Sequence, residues 1–223
     1  MKQVLKFFNT AGLIQPDIHY NVSPLYCINL DELEQLIMQR KYFILHALRQ
    51  TGKTSCLLAL RDYLNEQGDY IAVYANVEAG QAARNDVLRV VTATTSAIAD
   101  RLSLVLKDRM FQSMKQKENA DSLLMAHLRE IYAILPKTLV LFIDEIDALV
   151  GDSLVSVLRQ IRAGYDLRPQ YFPISIVLCG VRDVSDYRIV LSNQDIITGG
   201  SAFNIKAKSL QLGNFSKEEI HEL

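Results

Sequence analysis

The apolar residues of this chain fall into two patterns that alternate along the sequence. Short unbroken apolar runs, such as the one over 138–145, are typical of strands buried on both faces of a sheet. Longer stretches with apolar residues every three or four positions are typical of helices that bury one face. The predicted strands cover 42–45, 69–77, 138–145, 174–179 and a last segment within 204–212. The predicted helices cover 30–40, 53–67, 86–105, 122–135 and 152–162.

This alternation of strands and helices predicts the fold class. It is typical of an α/β domain, in which helices cover both faces of a mostly parallel, five-stranded sheet and give three layers. Ligands bind such sheets where the carboxyl ends of the strands meet. Capping residues are expected at four helix starts, at Asn29, Asp121, Asp152 and Ser216.

The stretch from Lys41 to Ser55 has the order that a phosphate-binding loop requires. A strand leads into a loop, and a helix then opens at 52–54, so backbone N–H groups and the positive end of the helix dipole face one concavity. We expect Lys53 to contact the β- and γ-phosphates of a nucleotide and Thr54 to ligate Mg²⁺. The predicted nucleotide-binding residues are Ala47, Arg49, Gln50, Thr51, Gly52, Lys53, Thr54 and Ser55.

Ala47 stands where the pattern G-x-x-x-x-G-K-[ST] has its first glycine. Alanine is acceptable there if the backbone dihedral angles are ordinary. The alternative interpretation is that Gly-Lys-Thr only begins a helix. The apolar strand before it and the amphipathic helix after it favour the phosphate loop.

Asp144 and Glu145 end the most apolar strand of the sequence, where carboxylates are costly unless a cation or donors compensate them. We expect Asp144 to hold Mg²⁺ through water, beside Thr54. We expect Glu145 to polarise the water that attacks the γ-phosphate. The alternative is that both carboxylates mark where the strand leaves the core. Asp147 either supports the metal or is simply solvated.

Arg182 follows the fourth predicted strand and joins Glu145 and Lys53 as a predicted catalytic residue. A guanidinium at that place can bind the γ-phosphate and distinguish ATP from ADP. The alternative, which stays equally open, is a surface arginine paired with Asp183 or Asp186.

Composition narrows the classes of protein to which this chain can belong. The 223 residues are 49% apolar and 22% charged, with a net charge of −1. The protein therefore has no overall basic field that would attract nucleic acid. A small basic patch within 107–118 keeps nucleic acid open as a partner. Three cysteines lack C-x-x-C spacing, and four histidines lack metal-ligand spacing. No signal peptide and no apolar run of bilayer-spanning length is present, so we expect a cytoplasmic protein without a membrane partner.

Three segments resemble a known family. They read H-A-L-R-Q-T-G-K-T-S (46–55), L-F-I-D-E-I-D (141–147) and L-C-G-V-R-D-V-S-D-Y-R (178–188). They are similar to prokaryotic AAA-like ATPases, a group related to archaeal-ATPase and STAND-type P-loop proteins. The resemblance implies a P-loop NTPase fold of the additional-strand, AAA/RecA-like type, with ATP and Mg²⁺ as cofactors. It also implies a Walker A pair at Lys53 and Thr54, a Walker B pair at Asp144 and Glu145, and a sensor-like Arg182.

The expected organisation has three parts. Residues 1–28 form an irregular segment near the nucleotide, in which Tyr20, Asn21 and Val22 are candidate walls of an adenine pocket. Residues 29–213 form the P-loop ATPase domain, and 214–223 begin a lid helix that is cut off. The resemblance implies a protein partner or a C-terminal effector region outside this chain, and it leaves a homo-oligomer open.

These observations predict a Mg²⁺-dependent ATPase with slow turnover that acts as a conformational switch in signalling or regulation. Two alternatives stay open. One is a module in which nucleotide only stabilises an interaction surface, without hydrolysis. The other is an ATPase stimulated by nucleic acid.

Overall fold

The computed structural model describes residues 5–10, 12, 14–107 and 119–221. The strands are β1 (Tyr42–His46), β2 (Tyr70–Asn76), β3 (Thr138–Asp144), β4 (Ser175–Gly180), β5 (Arg188–Val190), β6 (Ile196–Thr198) and β7 (Lys206–Gln211). The helices are α1 (Leu30–Met38), α2 (Lys53–Gln67), α3 (Val87–Leu106), α4 (Leu123–Ile134), α5 (Gly151–Ala163), α6 (Gly199–Ala202) and α7 (Lys217–Ile220).

Five strands form one parallel sheet in the order β2-β3-β4-β1-β7. This confirms the predicted α/β class and the five-stranded parallel sheet. Strand β4 lies between β1 and β3, which is the extra strand that the resemblance implied. The loops that follow β1, β3 and β4 therefore leave the sheet side by side at its carboxyl edge.

The two faces of the sheet are buried against different helices. Along β3, Leu141 packs into a core with α3, α4 and α5, whereas Phe142 packs into a core with α1 and α2. Both side chains are fully buried, and burial of each stabilises the fold by about 1.5–3 kcal/mol. An unbroken apolar run is therefore the pattern that β3 requires.

A side chain, rather than a further strand, covers the middle of the β2 edge. The amide of Asn65 on α2 donates to the carbonyl oxygen of Ala72 at 2.9 Å and accepts from the N–H of Ala72 at 3.0 Å. The amide thus pairs with β2 in the way that a neighbouring strand would.

Between β4 and β7 lies a small antiparallel hairpin, β5–β6, that the sequence pattern did not predict. Asp152 anchors it, because its carboxylate accepts from the backbone N–H of Ser192 at 3.0 Å and from the amide of Asn85 at 2.8 Å. The prediction that Asp152 caps α5 is therefore wrong, since that helix begins one residue earlier and Val150 is its N-cap. Asn29 and Ser216 cap α1 and α7 as predicted.

The predicted cap of α4 is also wrong, because a distant side chain takes its place. The N-cap position is Ser122 rather than Asp121. The buried side-chain oxygen of Gln160 on α5 accepts from the backbone N–H of Leu124 at 2.7 Å and of Met125 at 3.3 Å. These are N–H groups that a helix cannot pair within itself.

Some predictions fall on residues that are not described. Three members of the predicted basic patch, Arg109, Lys115 and Lys117, lie outside the described residues, as do 1–4 and 222–223 of the predicted flanking segments. Within the described ranges, no helix has the length and apolarity needed to cross a bilayer.

The contact of Gln160 with α4 gives a stability prediction. Gln160→Leu should lower the free energy of unfolding by about 2–4 kcal/mol, because the buried N–H of Leu124 and the half-buried N–H of Met125 lose their acceptor. Urea unfolding followed by circular dichroism measures the change. Gln35→Leu, at an exposed position of α1, is the matched control and should change stability by less than about 0.5 kcal/mol. Equal stability of the two variants would contradict this account of the α4 start.

Candidate functional site

The loop between β1 and α2 turns sharply before the helix begins at Lys53. Gln50 and Gly52 adopt left-handed backbone conformations, with φ of 62° and 83°. A Cβ at Gly52 would meet nothing within 4 Å, so the dihedral angle rather than lack of space favours glycine there. The hydroxyl of Thr51 donates to the carbonyl oxygen of Leu48 at 2.7 Å and closes the turn. The unpaired N–H groups of the first turn of α2 lie directly after this loop.

A cavity of about 520 Å³ lies against this loop at the carboxyl edge of the sheet. Its lining residues are Gly12, Arg49, Gln50, Gly52, Lys53, Thr54, Ser55, Glu78, Gln81 and Glu145. The structure thus brings Lys53 and Thr54 together with Glu145, which follows β3. Lys53 is only 7% exposed, so its ammonium group is well placed to attract an anion in poorly solvated surroundings.

Asp144 is fully buried and hydrogen-bonded to Thr54, which lines the cavity. One of its carboxylate oxygens, Oδ2, accepts from the hydroxyl of Thr54 at 3.0 Å and from the hydroxyl of Tyr74 at 2.9 Å. The other, Oδ1, accepts from the backbone N–H of Glu145 at 2.9 Å. A buried carboxylate needs such donors, and this set of donors ties it to the start of α2 and to β2.

Glu145 sits at the bend where β3 ends, with a left-handed backbone (φ 59°). Burial, followed by the charge of Asp144, raises the pKa of Glu145, whereas the ammonium of Lys53 opposes that shift. A raised pKa makes this carboxylate a stronger base than an ordinary glutamate, as proton abstraction from a water molecule requires.

Two further groups face the Asp144 carboxylate. Burial, followed by the charge of Asp144, raises the pKa of the Tyr74 hydroxyl and of the Cys179 thiol. Both groups therefore stay protonated at neutral pH, and the Tyr74 hydroxyl donates to Asp144.

Ala47 does not line the cavity. It is buried at the end of β1, and its N–H donates to the carbonyl oxygen of Gly180 on β4 at 3.3 Å. Its φ is not among the positive values found in the described residues, so a glycine is not required there. The structure thus explains why alanine is tolerated at the first glycine position of the pattern.

Two other predicted residues also lie away from the cavity wall. Thr51 lines an adjoining apolar cavity instead. Arg182 is exposed, and it is not paired with Asp183, whose carboxylate binds Lys206.

The adjoining apolar cavity has a volume of about 360 Å³. Its lining residues are Phe8, Ile14, Tyr20, Val22, Pro24, Cys27, Thr51, Gly52, Ser55, Phe215 and Ile220. Tyr20 and Val22 were predicted to wall a base pocket and line it, whereas Asn21 does not. Chain segments before α1 and after β7 therefore meet beside the start of α2.

Sequence reasoning missed several residues of the site. Glu78 and Gln81 follow β2, which ends at the same edge of the sheet. The sequence signal that could have identified them was that they follow a predicted parallel strand. Gly12 belongs to a turn held by the amide of Asn9, which donates to the Gly12 carbonyl oxygen at 3.0 Å. Tyr74 gave no signal, because a tyrosine in a strand is usually a packing residue.

The side chains fit a magnesium ion bound together with a nucleotide. Among the described residues, no group of three or more His, Cys, Asp or Glu side chains is arranged to hold a metal. Mg²⁺ commonly takes only one or two protein ligands and completes its shell with phosphate oxygens and water. Thr54 and Asp144 supply such a minimal set, because the Thr54 hydroxyl donates its proton to Asp144 and keeps its lone pairs for a cation.

Comparison with protein families gave a match to the family described as AAA domain, over residues 36–187. The matched segment is more than half of the 223 residues and runs from α1 past β4, so it includes Lys53, Asp144 and Arg182. A comparison with curated proteins gave no match.

Several solved structures share the fold. Cdc6p from Pyrobaculum aerophilum is 21% identical, with a TM-score of 0.50 over 86% of this chain and 45% of that one. The ORC2 protein of Aeropyrum pernix is 13% identical, with a TM-score of 0.53 over 86% and 48%. The ORC1 protein of Aeropyrum pernix, solved in complex with DNA, is 14% identical, with a TM-score of 0.52 over 90% and 51%. The chain spans about half the length of these structures.

The Thr54–Asp144 hydrogen bond gives a prediction that does not depend on any ligand. Thr54→Val should lower the free energy of unfolding by about 1–3 kcal/mol, because a buried carboxylate loses a donor. Thr54→Ser should recover most of that loss, and Thr10→Val, at an exposed position outside the site, is the control. Urea unfolding measures all three variants. A Thr54→Val protein as stable as the unaltered chain would show that this bond contributes nothing to the fold.

Proposed function

The chain belongs to the AAA domain family, and on that premise we propose that it binds ATP with Mg²⁺ at the start of α2 and hydrolyses it slowly. In this proposal, hydrolysis switches the conformation of the loops at the carboxyl edge of the sheet. The hydrogen bond between Thr54 and Asp144 carries the proposal, because it joins the phosphate-binding helix to the carboxylates that follow β3.

Phosphate binding rests on the charge and backbone of the loop. Lys53, with Arg49 beside it in the same cavity, offers positive charge to the β- and γ-phosphates. The unpaired N–H groups at the start of α2 add further donors. Thr54 and Asp144 would hold a Mg²⁺ ion, which would supply positive charge to neutralise the phosphates.

Hydrolysis requires a group that orients and deprotonates water, and we assign this role to Glu145. Its side chain lines the same cavity as Lys53, and its pKa is raised. We place Arg182 near the γ-phosphate only after the loop that follows β4 has moved, since its side chain is exposed. A rearrangement of this kind makes turnover slow and couples it to conformation.

The apolar cavity next to the loop is our proposed site for the adenine base. It shares Gly52 and Ser55 with the phosphate cavity, so one ligand can extend from one cavity into the other. Aromatic and aliphatic walls, including Tyr20 and Val22, suit a flat apolar ring. ATP in this position would contact the segments before α1 and after β7 as well as the central domain, which we place at 29–213.

Two alternative functions, a module that binds nucleotide without hydrolysis and an ATPase stimulated by nucleic acid, have less support. Glu145 favours hydrolysis over a module that only binds nucleotide. A role for nucleic acid has no support from a described basic patch. A protein partner, an effector region or an oligomer remains part of the proposal as a source of the groups that would speed turnover.

Our first functional test separates ATP binding from hydrolysis. Lys53→Ala should weaken binding of a fluorescent ATP analogue by roughly 10–100-fold, because a buried charge-assisted contact is lost. Glu145→Gln should bind ATP like the unaltered chain but lower phosphate release by about 100-fold or more, because the base is removed.

Matched variants far from the cavity control for the changes in charge. These are Lys137→Ala, where the lysine contacts the Gly68 carbonyl oxygen, and Glu130→Gln on the exposed face of α4. Unchanged ATP binding by Lys53→Ala would overturn the proposed function. Unchanged turnover by Glu145→Gln would overturn only the assigned base.

Our second functional test concerns the base pocket. Val22→Glu places a carboxylate in the apolar cavity and should weaken ATP binding by about 10-fold or more, because a charge is costly there. Binding of inorganic triphosphate, which has no base, should stay unchanged. Isothermal titration calorimetry measures both ligands, with Leu104→Glu on the exposed face of α3 as the control. An equal loss for both ligands would contradict the proposed base site.

A further inference from the structure

Tyr74 is a buried residue of the site that does not line the phosphate cavity. It lies on β2 and is 4% exposed, and its ring packs in the core against α1 and α2. In the parallel pairing of β2 with β3, Tyr74 is opposite Phe142 and Asn76 is opposite Asp144. Tyr74 therefore reaches Asp144 diagonally, two positions along the neighbouring strand, which is within the reach of a tyrosine.

The hydroxyls of Tyr74 and Thr54 donate to the same oxygen of Asp144, at 2.9 Å and 3.0 Å. A carboxylate oxygen has two lone pairs, so these donors saturate Oδ2. The Oδ1 atom accepts from the backbone N–H of Glu145. The carboxylate is thus fixed from three elements: α2, β2 and the end of β3.

We propose that Tyr74 is a positioning residue for the metal: it orients the Asp144 carboxylate so that the Thr54 hydroxyl keeps donating to it and turns its lone pairs toward the cation. This inference rests on the proposed function and deepens it. Without the Tyr74 hydroxyl, Asp144 can rotate, and Thr54 is no longer held in the orientation that a cation needs. The effect is confined to metal binding, because Tyr74 touches neither cavity.

The test measures how much a divalent cation strengthens binding of a non-hydrolysable ATP analogue, using Mn²⁺ in one titration and EDTA in the other. In Tyr74→Phe we expect the Mn²⁺-dependent gain in affinity to fall by about 10–100-fold, as is typical when a partner of a metal ligand is removed. Affinity in EDTA should stay within about twofold of the unaltered chain. Tyr70→Phe, which makes the same change four residues earlier on the same strand, should behave like the unaltered chain.

A double-mutant cycle separates positioning from general damage to the fold. If Tyr74 acts through Asp144, Tyr74→Phe should cause no further loss of the Mn²⁺ gain in an Asp144→Asn background. Additive losses would overturn the inference, and so would a Tyr74→Phe protein that weakens in Mn²⁺ and EDTA alike. If the unaltered chain gains affinity from Mn²⁺ and Tyr74→Phe gains as much, the inference fails and the proposed function stands. If Lys53→Ala binds the analogue as well as the unaltered chain does, both fail.

Discussion

A carboxylate buried without solvent is the constraint around which this site is arranged. Asp144 stands at the end of the most apolar strand, where an unpaired charge would cost several kcal/mol. Its oxygens accept hydrogen bonds from α2, from β2 and from the backbone N–H of the next residue, Glu145. Those same bonds fix the distance between the start of α2 and the end of β3. The hydrogen bonds to this one carboxylate thus offset the cost of burying it and also set the geometry of the site.

The parts of the fold that depend on local sequence patterns were predictable from the sequence. The central strands are apolar on both faces because both faces are covered, and α2 begins and ends within the predicted range because glycines flank it at 52 and 68. Lys53, Thr54 and Glu145 were expected to meet because parallel strands end at one edge, and they line one cavity. The roles assigned to them stay predictions.

What the sequence could not predict depends on residues far apart in the chain. Gln160 supplies the acceptor for the start of α4 from 36 residues away, whereas the local capping pattern predicted Asp121. The hairpin β5–β6 has strands of three residues, too short for a visible alternation. Tyr74 looks like any strand tyrosine until the register beside β3 is known. In each case the structure depends on a residue brought close by tertiary packing, and the periodicity of a single sequence contains no information about that residue.

The amide that pairs with Ala72 also bears on how copies of this protein meet. An outer strand with free hydrogen-bonding groups invites strand addition from another molecule, and a side chain already bound there removes that opportunity. The opposite margin of the sheet is β7, where Lys206 and Lys208 are paired with Asp183 and Glu32. Addition of a strand from another copy is therefore disfavoured at the middle of the β2 edge, where both backbone groups of Ala72 are already bound.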